Sequence, residues 1–146
     1  MRITILSIGK FENSPHRLVF EDYLRRLKWK VELKELESKN PKISEEELIL
    51  KALNPASKLI ACDEKGKQFS SREFAKIISD LAVQGDSNLT FVIGGADGLS
   101  EKILKKSSLK ISFGLMTLPH LMARCVLVEQ LYRAQSIIRN HPYHRD

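Results

Sequence analysis

Residues 124–146 gather the side chains of this chain best suited to polar chemistry. Arg124, Glu129, Tyr132, Arg133 and Arg139 fall in a run of helical character, and Asn140-His141-Pro142-Tyr143-His144-Arg145-Asp146 follows, with aromatic rings set among cations. Arginine grips phosphate oxygens through a planar fork, tyrosine and histidine rings stack on a base, and an imidazole titrates near neutrality. Such a mixture suits RNA. The competing reading is a frayed, solvated end, since terminal residues are often poorly tied down.

A second candidate is the turn that closes an apolar run, Leu89-Thr90-Phe91-Val92-Ile93-Gly94-Gly95-Ala96-Asp97-Gly98. Five apolar or β-branched residues predict an inner parallel strand, and the glycines let the backbone turn with positive φ or approach a ligand closely. Ligands of open α/β sheets sit at the carboxyl ends of strands, so the turn is either a binding loop or a plain entry into the next helix. Its G-G-x-x-G spacing meets neither the dinucleotide nor the triphosphate fingerprint, and no lysine stands beside it. A neutral site built from the loops after three strands, at Cys62, Gly94 and Phe113-Gly114-Leu115-Met116-Thr117-Leu118, suits a nucleoside-like ligand held by backbone hydrogen bonds.

Other chemistries fit less well. Asp63 ends the third strand, where a receiver domain carries its phosphorylated aspartate, but the first strand runs into Ser7-Ile8-Gly9-Lys10 and offers no acidic pair for magnesium. His141 and His144 are interrupted by Pro142 and lie far from either cysteine, so no metal site is expected. Cys62 and Cys125 read as buried, reduced thiols, and Cys125, inside an apolar helix turn, as inert packing.

These residues need a frame to position them. Ile3–Ile8 reads as a strand closed by Gly9. Ser14-Pro15 opens a helix with Val19, Phe20, Tyr23, Leu24 and Leu27 on one face. Trp29, Val31 and Leu33 alternate with charges, the pattern of a half-exposed strand near an edge. Ser44 with Glu47, and Ser70 with Glu73, predict capping boxes, each flanked by a hydrophobic staple, and Phe74, Ile77, Ile78, Leu81 and Ala82 mark the core face of the second of these helices. Between them, Lys58–Asp63 is a strand that ends in a polar loop, Glu64–Lys67. Ser100 caps a fourth helix, Leu109–Phe113 forms a fifth strand, and a helix of about 20 residues runs from about His120 to Asn140. Strands alternating with helices predict one α/β domain over residues 1–146, with a mostly parallel sheet of five to six strands covered on both faces.

The first half of the last helix, Leu121 to Val128, is apolar almost all round, more than one sheet face can cover. A homodimer packed through this helix is the preferred explanation, ahead of an unusually central helix. Length and 42% hydrophobic content suit one core. No apolar run approaches membrane-spanning length and no signal peptide is evident, so a soluble, cytoplasmic protein is expected. The formal charge of +6 is uneven: residues 1–100 hold 16 Lys/Arg against 15 Asp/Glu, whereas residues 101–146 hold 8 against 3. A polyanionic partner, most simply nucleic acid, fits that excess, and so does a solvated basic face.

Several long motifs occur together and in order: Phe91-Val92-Ile93-Gly94-Gly95-Ala96-Asp97-Gly98-Leu99, Met116-Thr117-Leu118-Pro119-His120, Ala123-Arg124, Glu129-Gln130-Leu131-Tyr132-Arg133-Ala134 and His141-Pro142-Tyr143-His144. With them the whole chain resembles the RlmH family of SPOUT methyltransferases. The resemblance implies a homodimer whose C-terminal third is threaded into a trefoil knot. It further implies an enzyme that uses S-adenosylmethionine to methylate N3 of a pseudouridine in 23S ribosomal RNA, on the assembled ribosome. By motif, Cys62, Gly94 and Phe113 through Leu118 would hold the cofactor. Here the family more often has Leu at position 62. His144, Tyr143, Arg133 and Arg124 would handle the reacting base, and Arg139, His141 and Arg145 the RNA, with the tail acting across the dimer interface. Two other classes remain: a catalytically silent ribosome-binding protein, and a knotted methyltransferase acting on transfer RNA.

Overall fold

A computed structural model describes all 146 residues. In chain order the elements are β1 (Arg2–Ile8), α1 (Pro15–Arg26), β2 (Lys30–Leu36), α2 (Glu45–Ala52), β3 (Lys58–Gln68), α3 (Ser71–Val83), β4 (Asn88–Ile93), α4 (Glu101–Lys106), β5 (Leu109–Ser112) and α5 (His120–Ile138). The five strands form one parallel sheet in the order β2-β1-β4-β3-β5. Parallel neighbours cannot be joined by a tight hairpin, so helices supply the crossovers. β2, whose side chains alternate between half-buried and exposed, is an edge strand as its sequence predicts.

Alternation along the inner strands builds two cores. Ile3, Ile5, Leu89, Phe91 and Ile60 face α1, α3 and α5, whereas Leu6, Val92, Leu59 and Ala61 face Ile49 of α2 and Ile103 of α4. Burial of both strand faces explains the unbroken apolar run of β4.

α5 lies between α1 and α3. Its Cys125, Leu127, Val128, Leu131 and Ala134 are buried against them and the sheet, so two flanking helices account for a surface that is apolar nearly all round. The central position, the less favoured explanation above, is the one observed. Within this run only Met122 stays exposed, at 41%.

Three local expectations are revised. First, β3 does not stop at Asp63: Cys62 pairs with Ile111, the chain bulges through 63–66, and Lys67 and Gln68 pair again with Ile111 and Ser112. Gly66 permits this, because a Cβ there would lie 2.8 Å from the backbone carbonyl carbons of Lys110 and Ile111. Second, Ser70 and Glu73 form a complete box, but Ser44 only accepts from the Glu47 amide, while the neighbouring Glu45 and Glu46 reach out to Gly95 and Ser100. Third, Ser14 stands at the start of α1 without a side-chain cap.

Candidate active site: a cavity at the strand ends and a clasped tail

The carboxyl ends of β3, β4 and β5 open into a cavity of about 800 Å³. It is bounded by Cys62 and the bulge that follows it, by Gly94–Leu99, by the segment after β5, and by His120 and Ala123 of α5. Cys62, Gly94, Phe113, Gly114, Met116, Thr117 and Leu118, widely spaced in sequence, are thus brought together. Leu115 stands apart: Gly114, at φ +135°, turns the chain so that Leu115 is 85% exposed and outside the lining.

The glycine turn is shaped by crowding more than by handedness. Only Gly98 has positive φ there. At Gly94 a Cβ would meet the Gly98 backbone at 2.7 Å, and at Gly95 it would meet the Glu45 carboxylate, which accepts from the Gly95 amide. Burial raises the Cys62 thiol well above its ordinary value, so it is a neutral wall and not a nucleophile. Asp63, Glu64, Asp97 and Glu101 share the lining with a single lysine, Lys65. The site is therefore acidic at its rim, not neutral as its turns alone suggest, because the bulge and the start of α4 bring in carboxylates. Across the mouth, Thr117 donates to Glu64 at 3.3 Å.

The tail is folded back on α5 rather than frayed. Glu129 accepts from Arg133 Nε at 2.9 Å and from the Tyr143 hydroxyl at 3.0 Å, and Tyr143 also meets the Tyr23 hydroxyl at 3.2 Å. Arg133 reaches His144 Nδ1 at 3.1 Å. A guanidinium can only donate, so Nδ1 is the acceptor and the ring proton of neutral His144 sits on Nε2, which donates to Asp146 at 2.9 Å. Neither ring nitrogen is then a free base. Burial, together with the bonds to Tyr23 and Glu129, pushes the Tyr143 phenol well up, leaving it a donor at neutral pH. The Glu129 bond holds Arg133 above its usual range, and Arg72 and His144 hold Asp146 down to about 2. Arg139, His141 and Arg145 are exposed, and Arg145 makes no ion pair.

Arg124 belongs to neither assembly. It is fully buried, donates to the carbonyls of Ile8 and Gly9 at 2.8 and 3.0 Å, pairs with Glu35 at 3.2 Å and stacks on Phe11. A side chain so enclosed cannot touch an RNA base; it pins the β1–α1 turn. Sequence reasoning overlooked Tyr23 and Arg72, which clasp the tail from α1 and α3, and the acids of the rim. Contacts that span 74 to 120 positions leave no local pattern to find.

From Ala123 at the cavity to Arg133 under the tail is ten residues of helix, about 15 Å. The two assemblies are separate within one chain, joined by a single face of α5.

The family described as "Predicted SPOUT methyltransferase" matches residues 1–144. Two relatives, from Rhodospirillum centenum and Paramagnetospirillum magneticum, are 40% and 42% identical over 99% of both chains, and each is named "Ribosomal RNA large subunit methyltransferase H". This chain belongs to the SPOUT methyltransferases, in that large-subunit family. Solved structures of other proteins agree on the fold. A methylase family protein from Haemophilus influenzae matches with TM-score 0.63 at 16% identity, covering 99% of this chain and 70% of its own. A Legionella pneumophila methyltransferase with S-adenosylmethionine bound matches at 0.51 and 11% identity, covering 92% and 66%. In this SPOUT methyltransferase no helix is long and apolar enough to cross a membrane.

Proposed function

We infer that this chain transfers the methyl group of S-adenosylmethionine to N3 of a pseudouridine in large-subunit ribosomal RNA, on the assembled particle in the cytoplasm. The observation that carries the reading is the cavity: backbone-rich turns able to hold a nucleoside, with an acidic rim that complements a donor bearing a sulfonium and an ammonium. The RNA assignment rests on the full-length relatives.

The chemistry divides into an easy half and a hard half. The N3 lone pair attacks the methyl carbon, the carbon–sulfur bond breaks, and its electron pair stays on sulfur, leaving S-adenosylhomocysteine. Alignment and exclusion of water suffice for that half. N3 must first lose its proton, which passes to solvent, and the resulting charge spreads onto two carbonyl oxygens. Arg145, exposed and unpaired, supplies the stabilising cation, while Tyr143, its one hydroxyl proton committed to Glu129, anchors the tail that carries it. His144 and Arg133 hold these groups in place, and Arg139 and His141 take phosphates.

With about 15 Å between cavity and tail in one chain, the site is completed across a homodimer, the tail of one copy flanking the donor cavity of the other. Leu18 and Val19 on α1, Met122 on α5, and Leu115 and Met116 after β5 are exposed apolar side chains available to such an interface. The knotted threading of the family belongs to the same reading.

Incubation with labelled S-adenosylmethionine and, separately, intact ribosomes, naked ribosomal RNA and transfer RNA tests the proposal. Label in large-subunit RNA of ribosomes, on one modified pseudouridine by mass spectrometry, is the expected result. Cofactor binding with label only in transfer RNA, or no cofactor binding at all, overturns it.

A further inference from the structure

A second, smaller cavity of about 210 Å³ lies beside the donor cavity, on the side toward the tail. It shares Phe113 and Gly114 with the donor cavity, and Phe69 and Phe74 add two more aromatic walls. Its polar side is Gln130 with Ser71. Ser71 donates to Gln130 Oε1 at 2.8 Å, and Gln130 Nε2 donates to Glu129 Oε2 at 2.8 Å. A carboxylate only accepts, so the amide cannot flip. Each end keeps one capacity unused: a lone pair on Oε1 and a hydrogen on Nε2.

We propose that this cavity receives the target base and that Gln130 distinguishes pseudouridine from uridine. The proposal rests on the methyltransferase reading above and adds to it the residue that selects the base. Aromatic walls suit an unstacked pyrimidine. An oriented amide offering one acceptor beside one donor complements a ring edge of the form N–H next to C=O. Pseudouridine has such an edge at N1 and C2, because its sugar is attached through carbon; in uridine N1 carries the sugar and has no hydrogen. Pairing Gln130 with the N1 and C2 edge occupies neither N3 nor the C4 carbonyl. N3 can then face Phe113 and Gly114, the residues common to both cavities, on the side from which the methyl donor is presented. Had Gln130 paired with N3 itself, the acceptor nitrogen would be blocked.

The placement of Gln130 on α5 supports the assignment. Ala123, Val126, Gln130 and Arg133 follow at helical spacing along one face, so donor cavity, base cavity and tail clasp are met in that order. Glu129 links the last two, holding the Gln130 amide through one oxygen and Arg133 with Tyr143 through the other.

The test compares methyl transfer to reconstituted large subunits carrying either pseudouridine or uridine at the modified position. A site built to bond a substrate N–H rejects the analogue lacking it by a wide margin, so the wild-type protein prefers pseudouridine on the order of 100-fold or more. Gln130→Leu brings the ratio to within about fivefold of unity, chiefly by slowing the pseudouridine reaction, with cofactor affinity and melting temperature retained. Should that variant lose cofactor binding, Ser71→Ala, which only frees the amide, decides the matter through a partial fall of the same ratio. Equal slowing on both substrates overturns the assignment. So does a wild-type protein that methylates both equally, which leaves the methyltransferase reading intact. No transfer to either substrate overturns the two together.

Discussion

Arg124 Nη1 and Glu35 Oε2 meet at 3.2 Å, tying α5 to the end of β2 over the turn that leaves β1. Glu35 also accepts from the Phe11 amide at 2.6 Å, so one carboxylate fastens the turn from two sides. Burial lowers the pKa of Arg124 while Glu35 raises it, and the side chain remains a cation that depends on its partners. Arg124→Ala strips the buried cluster of its charge and its bonds to Ile8 and Gly9. A loss of about 3–5 kcal/mol is expected, seen as a fall of melting temperature on the order of 10 °C. Activity per folded molecule should fall much less; thermal melts run beside assays at low temperature separate the two.

Replacing Arg145 with Ala removes a cation that no ion pair in the chain occupies. Methyl transfer should fall about 100-fold while the dissociation constant for S-adenosylmethionine, measured by calorimetry, is unchanged. His144→Ala should show the same split with a smaller loss, because the ring acts by positioning. Equal loss of rate and cofactor affinity in either variant would count against their placement.

If the tail serves the other copy, two inactive proteins should rescue each other. Gly94→Ala, which sets a Cβ 2.7 Å from the Gly98 backbone, spoils the donor cavity and spares the tail; Arg145→Ala does the reverse. Random reassociation of equal amounts gives half mixed dimers, each with one intact site, and about a quarter of wild-type activity. A mixture that stays inactive places the tail in the same chain as the cofactor it serves.

The tail clasp should also respond to acid. Asp146 is held down to about 2 by Arg72 and His144. A carboxylate with a depressed pKa favours the docked form above its free value near 3.8 and loses that contribution as pH falls through about 2. Docking should therefore weaken between those limits and be indifferent to pH from 5 to 7 as far as this group is concerned. Asp146→Asn should loosen the tail at any pH above about 4, which carboxypeptidase digestion would register as faster trimming.

Much of this molecule is legible in its residue pattern because local physics sets it. The alternation of β2, the unbroken apolar run of β4 and the Ser70–Glu73 box each report their surroundings within a few positions. The glycine turn and the segment after β5 are likewise found where their residue types place them. What escapes is whatever depends on distant packing. Nothing near Asp63 announces that the chain bulges and resumes pairing at Lys67, and Gly66 reads as an ordinary loop glycine until its neighbour across the sheet is known. Arg124 sits among residues of evident chemical use, yet contacts more than 80 positions away take it out of solvent. The all-round apolarity of α5 is real, but it marks the middle of a helical layer.

The strand order β2-β1-β4-β3-β5 leaves α5 as the member that seals the layer over the sheet. A nascent chain that has emerged only through β5 owns the three strand ends but lacks one wall of the donor cavity, one side of the base cavity and the Glu129 and Arg133 side of the tail clasp. Competence cannot build up by degrees during synthesis; it arrives in one step, when the final helix docks.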